Sequence, residues 1–158
     1  MSRISENAVS IELLPDAAGA VHPDKLIIKT VYVMAYIEDI NKLFLKLEKA
    51  GTTLAMYIAT LHGNNEEFSY HKLFVERFNQ YLVENGNEPY HRMSCDRAMR
   101  QLREYGFILK LRHGLYVVNP KFFYQGEPRL RNKLTQDLLS MAMAYEPINI
   151  KSYNEVTK

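Results

Sequence analysis

Residues 94–119, SCDRAMRQLREYGFILKLRHGLYVVN, decide the fold of this chain. Apolar residues recur at helical spacing over the first half of this stretch, and Ser94 is a suitable N-cap for the helix that they predict. Gly106 should end that helix, because glycine readily adopts the left-handed conformation found at many helix ends. The residues expected on the inner face of the helix are Cys95, Ala98, Met99, Leu102 and Tyr105.

A β-hairpin is predicted directly after this helix. Residues 107–111 and 115–119 are apolar runs, and the turn Arg112-His113-Gly114 separates them. A basic helix that leads through a glycine into a hairpin is typical of a winged helix-turn-helix. We therefore predict a mainly α fold with a small β wing.

The remaining sequence predicts three parts. Residues 1–30 form an N-terminal extension, in which a short strand or hairpin is favoured by Ile, Val and Thr. Residues 31–133 form the winged helix-turn-helix domain, and residues 134–158 form an amphipathic helix that ends before Pro147 and a frayed polar tail. Within the domain, helices are predicted before the basic one, and a loop at 87–93 is longer than a minimal helix-turn-helix connection. The predicted helices cover residues 33–51, 54–61 and 69–83.

Positive charge is concentrated in one part of the chain. The whole chain has a formal net charge of +2, but residues 91–133 hold ten Lys and Arg against three acids, a net +7. The remainder holds ten basic and fifteen acidic residues and carries −5. Such a concentration favours a polyanionic partner, although an ordinary solvated surface is the alternative.

Composition excludes several classes of protein. The single cysteine, Cys95, rules out an internal disulfide framework, and the N-terminal residues lack the pattern of a secretory signal peptide. No apolar run approaches the roughly 18 to 20 residues that cross a bilayer. We therefore expect a cytoplasmic protein without a membrane partner.

The basic helix offers side chains suited to reading bases. Arg forms bidentate hydrogen bonds with guanine and Gln with adenine, so Arg97, Arg100 and Gln101 are the candidates for base contacts. Asp96 can orient an arginine. The alternative is that Arg100 only pairs with Asp96 or Glu104 at the i,i+4 spacing of a helix.

Other candidate DNA contacts flank these residues. Ser94 is suited to phosphate contact as well as to capping, and Arg103 lies on the same basic surface. Lys110, Arg112 and His113 lie at or beside the wing turn, where they are placed to follow the phosphate backbone or probe the minor groove. An exposed hairpin tip is also commonly polar without having a ligand.

Catalytic and metal-binding patterns are missing from the sequence. The five histidines do not form the closely spaced pair that holds a metal beside a tyrosine nucleophile in rolling-circle initiators, and no Gly-Lys-Ser/Thr phosphate loop is present. We expect neither an enzyme nor a cofactor or metal site.

Residues 99–127, MRQLREYGFILKLRHGLYVVNPKFFYQGE, resemble the RepL-type plasmid replication initiators, which are small winged-helix proteins. The likeness extends over about residues 30–135, but the 69–93 segment is longer than in that family, and the Thr/Ser-rich start of the basic helix is reduced to Ser94. The resemblance implies binding to a plasmid or mobile-element origin and recruitment of host replication proteins. The matching positions are Leu102, Gly106, Phe107, Ile108, Gly114, Asn119, Pro120 and Gly126.

The residues by themselves support only binding to double-stranded DNA. Two other functions therefore stay open: a winged-helix transcriptional regulator, and a winged-helix protein-interaction module that does not bind DNA. In the second case the last amphipathic helix is a candidate surface for a homodimer or another partner.

Overall fold

A computed structural model describes residues 3–15 and 21–158, with side chains described from Val33 onward. The described part is mainly helical with small antiparallel sheets, as predicted. The helices are α1 (Ile37–Phe44), α2 (Lys49–His62), α3 (Lys72–Glu84), α4 (Arg92–Glu104), α5 (Arg131–Tyr145) and α6 (Ile150–Thr157). The strands are β1 (Arg3–Pro15), β2 (Val21–Ala35), β3 (Phe68–Ser69), β4 (Ile108–Arg112), β5 (Leu115–Val118) and β6 (Phe123–Tyr124).

Two three-stranded antiparallel sheets are present in the described residues. One has the order β1-β2-β6 and the other the order β3-β5-β4. The hairpin predicted within residues 1–30 extends further than expected, because β2 continues to Ala35 and pairs there with Arg3 and with Phe123.

The helix predicted over residues 33–51 is wrong in its bounds. Its first residues belong to β2, and α1 ends at Phe44 before α2 begins at Lys49. Gly51 therefore lies inside α2 and does not end a helix. A Cβ at this position would lie 3.0 Å from Gln101 Oε1, so the glycine permits close packing of α2 against α4.

The start of α2 and its environment also differ from the prediction. Glu48 occupies the N-cap position, and the Thr53 hydroxyl donates a hydrogen bond back to Lys49 O at 2.9 Å within the helix. Leu54 and Ile58 are fully buried, but Leu61 is half exposed. One face of α2 therefore remains exposed to solvent.

The segment before α4 contains a strand that the sequence did not reveal. Residues Phe68–Ser69 form β3 and pair with β5, so α3 begins at Lys72 and not at residue 69. The end of α3 lies one residue beyond the predicted residue 83, since the helix runs to Glu84 with Asn85 as the C-cap, and Gly86 has a positive φ of 78°. A connection of residues 85–91 then leads to α4.

The inner face of α4 is confirmed, whereas its predicted start is wrong. Cys95, Ala98, Met99 and Leu102 are buried in the main core. The helix begins at Arg92 with His91 as the N-cap, so Ser94 lies in the first turn and is not the capping residue. The predicted hairpin is confirmed as β4 and β5, and Gly114 in its turn has a φ of 71°.

The C-terminal segment is more ordered than the sequence predicted. The helix expected from residue 134 begins at Arg131, and Met141 and Tyr145 near its end are 52% and 43% exposed. The expected frayed tail is wrong, since residues 150–157 form α6. Asn149 Oδ1 accepts a hydrogen bond from Ser152 N at 3.1 Å and caps this helix, which packs on α1.

Replacing Val156 with alanine should test the contribution of α6 to the core. Val156 is fully buried in the main core cluster. Loss of two carbons and the cavity that they leave should lower the free energy of unfolding by about 2 kcal/mol, measured by urea denaturation. Lys151→Ala on the exposed face of α6 is the control. Equal stability of Val156→Ala and wild type would contradict the packing of α6.

Candidate nucleic-acid interface

The outer stripe of α4 is the exposed face opposite its buried residues. It consists of Met93, Arg97, Arg100 and Glu104, which recur at spacings of three and four. Met93, although apolar, is 82% exposed. The stripe is oriented by the opposite face, where Leu102 is fully buried.

Arg100 is the candidate base contact with the fewest intramolecular interactions. In the described part of the chain its guanidinium forms no ion pair and no hydrogen bond, and the alternative pairing with Asp96 or Glu104 is not observed at bonding distance. The side chain lines an open groove between α4 and the hairpin, together with Tyr70 and Tyr116. Within the described part of the chain, the donors of Arg100 therefore have no partner and are free to bind a ligand.

Arg97 and Gln101 instead contact the N-terminus of α2. Arg97 Nη2 lies 2.6 Å from Glu48 Oε1, and Gln101 Oε1 accepts a long hydrogen bond of 3.4 Å from Glu48 N. Gln101 also packs against Gly51. Gln101 thus stabilises the contact of α2 with α4 and does not project outward with Arg100.

Ser94 and Arg103 have structural surroundings as well. Ser94 is half-buried, and its hydroxyl has no hydrogen bond to the described residues. Arg103 forms an ion pair with Glu146, the C-cap residue of α5, and this pair joins the end of α5 to α4. Arg103 lies beside Arg100 in the groove, but the charge of Arg103 is already compensated by Glu146.

Arg92 is a candidate interface residue that the sequence prediction missed. Asp96 Oδ1 accepts hydrogen bonds from Arg92 Nε at 3.0 Å and from the Tyr70 hydroxyl at 2.6 Å. The Arg92 guanidinium carbon lies 5.4 Å from the centre of the Tyr70 ring. Asp96 thus orients an arginine, but the arginine is Arg92, which had been assigned to the loop before the helix.

The Arg92–Asp96–Tyr70 cluster shifts the pKa of its members. Partial burial raises the pKa of Asp96, but the hydrogen bonds from Tyr70 and Arg92 and the nearby positive charges of Arg92 and Arg100 together lower it by more, so the net pKa lies below the usual value for Asp. Burial first, and then the hydrogen bond to Asp96, raises the pKa of Tyr70. Asp96 is therefore a carboxylate at neutral pH.

Tyr70→Phe should raise the pKa of Asp96, because it removes a hydrogen bond to the charged form. The pKa of Asp96 is lower in the folded protein than in the unfolded chain, so ionised Asp96 stabilises the fold at pH values above the unfolded pKa. This contribution is lost as the pH falls through the folded pKa. An NMR titration of the Asp96 carboxyl carbon measures the change. Tyr81→Phe, which alters an exposed tyrosine on α3, is the control. An unchanged Asp96 pKa in Tyr70→Phe would contradict the cluster.

The predicted wing residues have different environments. His113 is exposed at the turn, and the exposed Arg112 lies 3.9 Å from Glu67. Lys110 Nζ lies 5.7 Å from the centre of the Tyr145 ring on α5. Lys110 therefore faces α5, while Arg112 and His113 remain at the tip of the hairpin.

Another basic group lies at residues 129–133, and most of its side chains form intramolecular contacts. Arg131 stacks on Tyr36 at 3.4 Å and donates hydrogen bonds to Pro120 O and Lys121 O. Its neighbours Arg129 and Lys133 pair with local acids. This group stabilises the connection to α5.

The fold brings acidic residues to the basic tract. Glu48, Glu67 and Glu146 lie far from α4 and the hairpin in the sequence but pair with their arginines in space. The positive charge at this surface is therefore smaller than the net +7 of residues 91–133 indicates. Exposed ion pairs contribute only about 0 to 1 kcal/mol, so a polyanion can compete for these arginines.

Comparison of the chain with protein-family models found no match, and searches of curated proteins and of solved structures likewise found no similar protein. In the part of the chain that the structure describes, no helix is both long enough and apolar enough to cross a membrane.

Proposed function

We propose that this chain is a sequence-specific binder of double-stranded DNA that acts through a winged helix-turn-helix. The observation that carries the proposal is the outer stripe of α4, which presents Arg100 without an ion-pair partner among the described residues. An exposed α-helix fits the major groove of B-DNA, and arginine is the commonest side chain that contacts guanine there. The hairpin of β4 and β5 lies beside this helix.

The order of elements supports the winged-helix interpretation. The segment from α2 to β5 runs helix, strand, helix, helix, strand, strand, and β3 pairs with β5. In this interpretation α3 and α4 form the helix-turn-helix pair, and α4 is the recognition helix. The turn at residues 113–114 is the tip of the wing, where it can reach the phosphate backbone beside the major groove.

The resemblance to RepL-type initiators supports a role in starting the replication of a plasmid or mobile element. The shared Asn119-Pro120 pair and Gly126 follow the hairpin in the sequence. The chain would bind the origin and recruit host replication proteins, without a catalytic activity or cofactor of its own. This function implies a cytoplasmic location.

Salt dependence of binding tests the proposed contact with DNA. Fluorescence anisotropy of a labelled duplex of random sequence should show affinity falling with salt, with a log-log slope of about −0.9 per phosphate contacted. Several phosphate contacts would therefore give a slope steeper than about −3. Absence of binding at low salt, or affinity independent of salt, would contradict the proposal.

Plasmid maintenance tests the proposed role in replication. A plasmid whose only origin is the cognate one should be lost when the coding sequence is deleted, and supplying the protein in trans should restore its copy number. Normal copy number after deletion would contradict the initiator role and would leave the DNA-binding proposal standing. A preferred site within a promoter would favour the transcriptional regulator.

A protein-interaction module is the second candidate function. It is favoured by exposed apolar residues on or beside α5, among them Leu130, Met141 and Tyr145, and by the intramolecular pairing of most arginines near α4. A second copy of the chain is one candidate partner for this surface. Sedimentation equilibrium distinguishes a monomer from a homodimer.

A further inference from the structure

Arg92 is held in a defined position by two residues. Its Nε donates a hydrogen bond to Asp96, and its guanidinium lies near the face of the Tyr70 ring. The side chain is still 47% exposed, and its hydrogen bond to Asp96 uses Nε, while Tyr70 also interacts with the guanidinium. The outward edge of the guanidinium therefore presents its donors to solvent.

The position of Arg92 is unfavourable for helix stability alone. It is the first residue of α4, and the first turn of this helix contains no acidic residue. A cation there opposes the positive end of the helix dipole, which disfavours it. The ion pair with Asp96 offsets part of this cost, and a residue that breaks a local rule of stability is a candidate for a functional role.

Tyr70 connects this arginine to the hairpin. Its backbone N–H donates a hydrogen bond to Gly114 O at 3.1 Å, and its hydroxyl donates to Asp96 at 2.6 Å. One residue thus contacts both the wing turn and the carboxylate that orients Arg92. The start of α4 and the tip of the hairpin are consequently fixed relative to each other.

The three arginines of α4 nearest its start differ in their readiness for a ligand. The Nη2 group of Arg97 pairs with Glu48. Arg100, in contrast, is not ordered by any polar contact within the described part of the chain. Arg92 alone among them is both ordered and open at its Nη groups. Ordering a free arginine on binding opposes association, so an arginine that is already ordered gives sharper recognition.

We propose that Arg92 reads one guanine of the DNA site in the major groove through its two Nη groups, and that Asp96 and Tyr70 are positioning residues for this contact. The inference rests on the proposed DNA-binding function. The N-terminal residues of a recognition helix contact base edges, and guanine presents the O6 and N7 acceptors that match a paired arginine fork.

The ratio of affinities for two duplexes tests this inference. The probes are a duplex selected by the wild-type protein from a random pool and copies of it in which each guanine is replaced in turn by 7-deazaguanine, which lacks the N7 acceptor. In the wild type, one such replacement should weaken binding on the order of tenfold. In Arg92→Ala the same replacement should have no effect, while the effects at other guanines persist.

Arg92→Lys separates base reading from simple charge. Lysine keeps the positive charge but lacks the planar fork, so the sensitivity to 7-deazaguanine at that position should again be lost. Asp96→Asn and Tyr70→Phe retain Arg92 and should reduce this sensitivity several-fold, and thermal unfolding monitors their stability. This readout compares two duplexes on one protein and is unaffected by a uniform loss of active protein.

The outcomes separate the two proposals. A wild-type protein that binds no duplex, or binds all sequences alike, overturns the proposed function and this inference with it. Wild-type sensitivity at one guanine that persists unchanged in Arg92→Ala or Arg92→Lys overturns the inference alone and leaves the DNA-binding proposal intact.

Discussion

Replacing Asn119 with alanine is expected to lower the free energy of unfolding by about 3 kcal/mol. Asn119 is fully buried and follows the second strand of the hairpin. Its Nδ2 donates to Gly106 O at 2.9 Å and to the Tyr153 hydroxyl at 3.1 Å, and its Oδ1 accepts from Lys121 N at 2.9 Å. Alanine would leave these groups without their partner, and a buried unsatisfied group costs about 1 to 3 kcal/mol.

Urea denaturation measures this effect, and Asn132→Ala is the matched control. Asn132 is exposed on α5, so its replacement should leave stability unchanged or slightly higher because alanine favours helix. A loss of less than about 1 kcal/mol in Asn119→Ala would contradict the buried network. The result would also show whether Asn119 has a structural role in joining the end of α4 to α6.

Arg100→Glu is expected to reduce affinity for the preferred duplex on the order of a hundredfold. Loss of a bidentate arginine contact to a base costs about 1 to 3 kcal/mol, and each 1.4 kcal/mol is a factor of about ten in affinity. A carboxylate on the outer stripe would in addition repel the phosphate backbone. Because Arg100 is exposed, the fold itself should retain its stability.

Arg77→Glu makes the same change of charge at a different surface. Arg77 is exposed on α3 and lines a cleft with Tyr57 and Phe74, and this cleft shares no residue with the groove of Arg100. Arg77→Glu should reduce affinity for DNA less than Arg100→Glu does, because it changes only the long-range electrostatic attraction. Equal losses in the two variants would indicate a uniform charge effect and would contradict a direct contact by Arg100.

Local patterns predicted the elements around the candidate interface. The inner face of α4 and the hairpin after it follow from periodicities within a few residues of one another. These features need no knowledge of distant parts of the chain. The α-helical character of the chain was predictable for the same reason.

Features that depend on tertiary packing were not predictable. Residues 150–157 are too short to form a stable helix alone, and α6 depends on burial of Val156 in the core. The strand β3 has only two residues and exists through its pairing with β5. Gly51 resembles a helix stop in the sequence, but its role is close packing against Gln101.

The arginines of the basic tract show the same limit at the candidate interface. The partner of Arg97 is Glu48, which lies 49 residues away in the sequence, and no local pattern connects the two. Arg92 was assigned to a loop because Ser94 looked like the helix cap. A helix start at residue 92 would have placed Arg92 and Asp96 at the i,i+4 spacing of an ion pair.

Selection of duplexes from a random pool by the wild-type protein tests whether α4 reads a DNA sequence. Successive rounds of binding and amplification at about 100 mM salt should enrich one short sequence motif containing guanine, because α4 would present arginine to the major groove at this ionic strength. Arg100→Glu, carried through the same selection, should fail to enrich that motif. A pool that remains random with the wild-type protein would contradict the account of α4 as a DNA-reading helix.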